Sequence, residues 1–557
     1  MDENGPLASA NAAFDTAVRL AGAMTGHLAD AVAKGDRVSV GLLDARQVDA
    51  YDLAVLLSRL QAARSILGFA ARKPKPLHLA WARAFVAEIV SDLTATLVHR
   101  AGDWGLDGAQ VQADLCNGEV SAFVAEALAP ATWGQMCEWL LEAPAPDYGL
   151  DDEHEHIRKE FKRFADDAVA PVAERVHKHD ELIPKDIIDA VSELGCFGLS
   201  IPERFGGLQP DDSPDNLGMV VVTEELSRGS LGVAGSLITR PEILSKALLK
   251  GGTDEQREQW LPRLATGETL CAVAVTEPDF GSDVAGMKVS ATPTEGGWLL
   301  NGQKTWCTFA GYADVLMVLA RTDPDPTKGH RGLSILLAEK PRFEGHSFEH
   351  TQPDGGGKVT ARAIDTLGYR GMHSFDVWFE DYFVPDSHVL GGLGGIGKGF
   401  YYQMEGFSGG RLQTAARACG VMQAALDKAV AYTAERKVFG KPIASYQLSA
   451  WKLARMGMML QTARQFTYDC CELIDAHKGQ VEASMVKLWA SRIAEWVTRE
   501  ALQLHGGMGY AEEYDVSRYF VDARVFSIFE GAEEVLALRV VARQVLQRWL
   551  DERKALS

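Results

Sequence analysis

The sequence predicts a mainly α chain with a central β domain. Three observations carry this reading. Both ends hold long alanine- and leucine-rich stretches with apolar residues at three- and four-residue steps, the middle switches to short runs rich in Val, Thr and aromatics, and Gly, Asn and Pro punctuate those runs. At 557 residues the chain has room for several domains of the usual ~100 to 200 residues.

The first segment, residues 1–150, includes YDLAVLLSRLQAARSILGFAAR and predicts an N-terminal helical extension. EAPAPDYGLDDEHEH, Glu142 to His156, carries prolines, a glycine and a block of charge, and predicts a linker. Residues 151–268 return to helical periodicity in EHIRKEFKRFADDAVAPVAERV and IPKDIIDAVSELGCFGL. Over 269–390, TLCAVAVTEP, GMKVSATPTEGGWLLNGQKTWCT, DVLMVLART, GLSILLAE and FDVWFEDYFVP predict a β domain. GGLGGIGKGF marks its exit, and residues 391–557 predict a C-terminal helical bundle.

Composition narrows the function. Hydrophobic residues make up 46% and charged residues 24%, the balance of a globular protein. Acidic residues outnumber basic ones, 76 to 56, and the net charge of −20 disfavours nucleic-acid and anionic-membrane partners. The eight cysteines contain no C-x-x-C pair, so neither a zinc knuckle nor a disulfide framework is expected, and no metal site is assigned. The N-terminus MDENGPLASANAAFD lacks a basic n-region, and no apolar run approaches the ~20 residues of a membrane span. A cytoplasmic location is the expectation. The glycine-rich GGLGGIGKG follows a β domain and lacks a downstream βαβ pattern, so a Rossmann cofactor site is not expected.

Five segments occur in a specific order: LPRLATGETLCAVAVTEPDFGSD, NGQKTWCT, AERKVFGKPIASYQ, QLHGGMGY and FEGAEEV. Together they resemble the acyl-CoA dehydrogenases over about residues 152 to 545. The resemblance implies a helical domain, a β domain and a C-terminal four-helix bundle, with FAD as cofactor. It also implies an acyl-CoA thioester substrate, an electron-transferring flavoprotein as electron acceptor, and a homodimer or dimer of dimers with an FAD site shared between subunits.

By the same resemblance Val275 and Thr276 meet the flavin ring, and Ser282 lies between flavin and thioester. Trp306 shields the flavin, Thr308 bonds its N5, and Cys307 between them belongs to the same cofactor set. In a regular strand Trp306 and Thr308 would share a side. Arg436, Phe439, Gln447, Gln503, Gly506 and Gly507 touch the neighbouring subunit's flavin nucleotide, and Arg411 and Gly531 belong to the substrate set. Read alone, TEP closes a strand, a strand Trp fills a core, and Arg436 answers a helix C-terminus.

Removing an α-proton from a thioester needs a base and donors to the thioester oxygen. Glu530 in FSIFEGAEEV fits the first requirement, with Ile528 and Phe529 expected to exclude water around it and Gly531 permitting close approach of substrate. The resemblance makes Glu530 the catalytic base and its amide a donor to the thioester oxygen. The alternative family position for the base matches Gly410, which has no side chain to act. The simpler reading has Glu530, Glu533 and Glu534 favouring a helix start. Ala532 and Val438 stand where many members have threonine, and Ser408 where many have an acid. In LGVAGSLITRPEIL, Arg240 either pairs with a substrate carboxylate or is a helix-end charge. A short branched dicarboxylic acyl-CoA is the expected substrate. Another short-chain acyl-CoA dehydrogenase, an acyl-CoA oxidase, and a non-catalytic assembly or binding protein on the same fold are the alternatives.

Overall fold

The computed structural model describes residues 5–142 and 147–556, apart from the side chains of Ser408 and Leu556. The expected linker therefore lies partly outside the described residues, and so does the side chain at the Ser408 departure. The described chain forms two compact units, one of residues 1–155 with 414–557 and one of residues 156–413. The extension is thus continuous with the C-terminal bundle. The boundary falls inside the long helix Gly399–Glu435.

In the first unit, helices Ala8–Val32, Gln47–Arg72, Pro76–Arg100 and Pro130–Glu142 of the extension pack with Gln447–Asp475, Gln480–His505 and Arg543–Leu556. Pro76 starts its helix at a position where the missing N–H costs nothing. The packing is close: a Cβ built on Gly457 would lie 2.9 Å from the indole of Trp81, so only glycine admits that ring. Arg455 makes bonds of 2.7 and 3.0 Å to the two carboxylate oxygens of Glu88, joining bundle to extension. Gln461 and Gln465 donate to the carbonyls of Asp147 and Tyr148, which fastens the described part of the expected linker to the bundle. Helix Gln47–Arg72 has the length and mean hydropathy, 1.3, of a membrane span, but 61% of that stretch is buried inside the fold. The greasy face is core.

The second unit pairs helices with an eight-stranded sheet. Its strands are β1 (Cys271–Ala274), β2 (Ser290–Thr294), β3 (Gly297–Thr308), β4 (Val315–Arg321), β5 (Leu333–Glu339), β6 (Ser347–Thr351), β7 (Lys358–Ala363) and β8 (Ser374–Pro385). Their order is β1-β4-β2-β3-β8-β7-β6, with β5 on β4. The pairings β1–β4 and β2–β4 are parallel and the others antiparallel. Along β4, Leu316, Val318 and Ala320 enter one core while Val315, Met317 and Leu319 enter another. Both faces are covered, which is why VLMVLAR reads as a continuous apolar run rather than an alternation. The second core is closed by helices Thr239–Gly251 and Asp254–Ala265 through Leu244, Leu248, Trp260 and Leu264. A capping box between Thr253 and Gln256 fixes the start of the latter helix.

Candidate active site

The turn after β1 is held by a buried ion pair. Glu277 accepts from the amides of Lys288 and Val289 at 2.8 and 2.9 Å and from Lys304 Nζ at 2.9 Å. Lys304, fully buried on β3, also donates to the Val275 carbonyl at 2.8 Å, and burial depresses its pKa against the raising effect of Glu277. The Thr276 carbonyl accepts from the Thr305 amide at 2.8 Å. These bonds leave the Thr276 and Ser282 hydroxyls without a hydrogen bond among the described residues, Thr276 partly buried and Ser282 exposed.

Strand alternation fails at Trp306. Phe375 pairs with Cys307 and Val377 with Lys304, so Thr305 and Trp306 together oppose Asp376 in a β-bulge. Trp306 takes φ +56°, a rare backbone for a bulky side chain, and its indole is 54% exposed. The bulge therefore turns the ring out of a strand whose neighbours are core. Thr308 stays buried, its hydroxyl 2.8 Å from that of Ser374. When Ser374 donates, the Thr308 proton is available to a ligand. The expectation for Cys307 needs correction: its side chain is wholly inside the sheet core, and burial pushes the thiol up to about 12. Only its backbone is available to a cofactor.

Arg240 lies in the first turn of helix Thr239–Gly251, 6% exposed. Nη1 donates to the Ser236 carbonyl at 3.3 Å, and the side chain has no ion pair among the described residues. A buried cation at a helix N-terminus opposes the dipole and calls for an anionic partner. Its neighbour Glu242 is already engaged by Lys246 and Gln413. Arg411 is partly buried on helix Gly399–Glu435.

In the first unit, Glu530 occupies φ +55° and Gly531 φ +101°. Lys487, fully buried, donates to the Gly531 carbonyl at 2.7 Å and fixes this turn. Arg417 lies 4.0 Å from Glu530 Oε1, with its guanidinium 4.8 Å from the Phe529 ring centroid. The expected apolar shield is therefore corrected. Ile528 is 56% exposed, and the group beside the carboxylate is a buried cation held by Thr414 at 2.8 Å.

Arg436, Gln447 and Gln503 are exposed and make no side-chain hydrogen bond or ion pair among the described residues. Phe439 caps a two-residue ladder at φ +48° and is 97% exposed. Tyr432, one turn before Arg436, stacks on His505 at 4.3 Å, which brings the Arg436 segment beside Gly506 and Gly507. Gly506, at φ +59° and ψ −136°, has a backbone that a side chain would strain.

Residues 151–268, 272–382 and 397–546 match the family models described as the N-terminal, middle and C-terminal domains of acyl-CoA dehydrogenase. The chain belongs to the acyl-CoA dehydrogenase family. It is accordingly an oxidoreductase acting on CH–CH bonds of acyl-CoA thioesters, in an FAD-binding family. The chain is 46% identical over 400 residues to (2S)-methylsuccinyl-CoA dehydrogenase of Cereibacter sphaeroides, covering 72% of this chain and 70% of that protein. It is 35% identical over 402 residues to the caffeyl-CoA reductase-Etf complex subunit CarC of Acetobacterium woodii, covering 72% of this chain and 100% of that one. A solved glutaryl-CoA dehydrogenase from Mycobacterium smegmatis in complex with FADH2 is similar at TM-score 0.62 and 28% identity, covering 71% of this chain and 95% of that one.

Several residues of this acyl-CoA dehydrogenase escaped the sequence reading. Glu277 and Lys304 both lie inside the family segments, but 27 positions separate them and nothing in the spacing pairs them. Lys487 and Arg417 sit in helices that read simply as amphipathic. Asp180, His346 and His373 gather their ligand atoms within 4.8 Å of one another, but Arg370 Nε is 3.7 Å and His373 Nε2 3.2 Å from the same Asp180 oxygen. The cluster is already an ion-pair network.

Proposed function

We propose that this acyl-CoA dehydrogenase oxidises a short branched dicarboxylic acyl-CoA, best matched by (2S)-methylsuccinyl-CoA giving mesaconyl-CoA. The observation that carries the substrate class is Arg240, buried at a helix start without an anionic partner among the described residues. A substrate carboxylate would complete it by charge-assisted hydrogen bonds. The name borne by the Cereibacter sphaeroides relative points the same way.

The residues present fit a flavin. Thr276, Ser282 and the out-turned Trp306 offer hydroxyls and a ring face, while Arg436, Gln447 and Gln503 offer donors unengaged among the described residues and Phe439 an exposed ring. FAD, when bound, supplies the acceptor for the β-hydride. Glu530 takes the α-proton, and its amide donates to the thioester oxygen as charge develops there. Lys487 holds this turn through the Gly531 carbonyl. The exposed, unengaged Arg436 and Phe439 support a site completed by a second copy of the chain, and an electron-transferring flavoprotein is the proposed electron acceptor. We place this chemistry in the cytoplasm.

The test is turnover of (2S)-methylsuccinyl-, glutaryl- and butyryl-CoA with an artificial acceptor, followed by product mass. Loss of a hydrogen pair from methylsuccinyl-CoA in preference to the others supports the proposal. Preference for butyryl-CoA would remove the dicarboxylic reading.

A further inference from the structure

The family models begin at residue 151, so they leave the extension without a role. Its helix Gln47–Arg72 supplies one side chain to the segment that carries Glu530. Tyr51 donates its hydroxyl to Glu533 Oε1, and Arg492 of helix Gln480–His505 donates to both the Tyr51 oxygen and, at 2.5 Å, the Glu533 carboxylate. Glu533 is three residues beyond Glu530 and opens the next helix.

The same bundle helix grips the segment along its length. Ser491 donates to the Phe526 carbonyl at 3.1 Å, Glu495 accepts from Ser527 at 2.6 Å, and Lys487 holds the Gly531 carbonyl. These grips lie before or at the strained Glu530–Gly531 turn. The Tyr51–Arg492–Glu533 knot is the one just after it, so the turn is pinned on both sides. Cavities of about 480 and 460 Å³ flank the knot, the first lined by Tyr51 and Arg492, the second by Arg492 and Glu533. Helix Gln47–Arg72 also packs along Leu536–Ala542, so the hydroxyl is the polar bond at the Glu530 end of a longer contact between the extension and this segment.

We infer that the N-terminal extension braces the loop bearing Glu530, with Tyr51 as a positioning residue that acts through Glu533. The inference rests on Glu530 being the base. Proton abstraction is steep in distance, and a displacement of about 1 Å costs up to ~100-fold in rate.

The test uses full-length Tyr51→Phe, which removes one oxygen and keeps the ring. It should purify with normal FAD content and thioester affinity, and reduce its flavin ~10-fold more slowly in anaerobic single turnover. Amides of residues 526–536 should exchange faster with deuterium. Glu533→Gln, which keeps an acceptor for Tyr51, should retain more of the rate than Glu533→Ala, and Tyr51→Phe should add little to Glu533→Ala. Wild-type rate and exchange in Tyr51→Phe would overturn the brace, as would a rate loss that only follows loss of FAD or of Tm. Glu530→Gln separates the two claims: full activity there sinks the base assignment, while the exchange measurement still decides whether Tyr51 holds the loop.

Discussion

Glu530, Trp306 and Phe439 all carry a positive φ, and all three fall in segments assigned to chemistry or cofactor. Backbone strain of this kind, of order 1 to 3 kcal/mol each, persists only where surrounding bonds over-determine it. Around Glu530 those bonds come from Lys487 and Glu533; around Trp306 they come from the bulge. Glu530→Gln is expected to keep FAD and lose at least ~100-fold in substrate-driven flavin reduction, the usual worth of a general base. Arg240→Ala should depress turnover of dicarboxylic thioesters by ~10- to 100-fold while leaving butyryl-CoA little changed, as a lost bond to a charged group of about 1.5–3 kcal/mol implies. Equal losses on both substrates would remove Arg240 as a carboxylate reader. Lys304→Met strands the Glu277 carboxylate in the core and should cost about 3–5 kcal/mol in denaturant unfolding, part of it recovered by adding Glu277→Gln. The motifs single out candidate residues but carry no mark of their environment. Neither the bulge that turns Trp306 outward nor Arg417 beside Glu530 leaves a local mark, because each depends on a partner strand or helix distant in sequence.

The elements themselves were largely legible. Periodicity distinguishes the helices from the sheet, and the both-face burial of β4 explains the run VLMVLAR. What periodicity cannot assign is the partner of an apolar face. The extension read as a bundle of its own, whereas Trp81 against Gly457 and Arg455 with Glu88 bind it to the C-terminal helices. The Tyr51 knot belongs to this scale and has a pH signature. Burial first, and then the bond to Glu533, push the Tyr51 phenol from its ordinary 10 up to about 12. A raised acid favours its neutral form in the fold. The stability it contributes is therefore complete below pH 10 and is lost as pH rises from 10 towards 12. Ultraviolet difference titration should show two tyrosines ionising near 12 in the native protein, Tyr51 and the buried Tyr382, and one of them absent from Tyr51→Phe; no loss of such an ionisation in the variant would mean that Tyr51 is neither buried nor bonded as described.

At the scale of the whole molecule, the single chain leaves Phe439 at 97% exposure and Arg436, Gln447 and Gln503 unengaged among the described residues. Phe439→Asp should lower the mass measured by light scattering and the bound flavin together, since a shared site loses both at once; loss of neither would separate the hairpin from assembly and cofactor. The most direct test of the central claim is anaerobic bleaching of the purified protein's flavin absorbance by (2S)-methylsuccinyl-CoA, with butyryl-, isobutyryl- and glutaryl-CoA alongside. Rapid bleaching by methylsuccinyl-CoA, far ahead of the others, is the predicted result. A flavin that methylsuccinyl-CoA leaves oxidised, while another thioester bleaches it, would contradict the account.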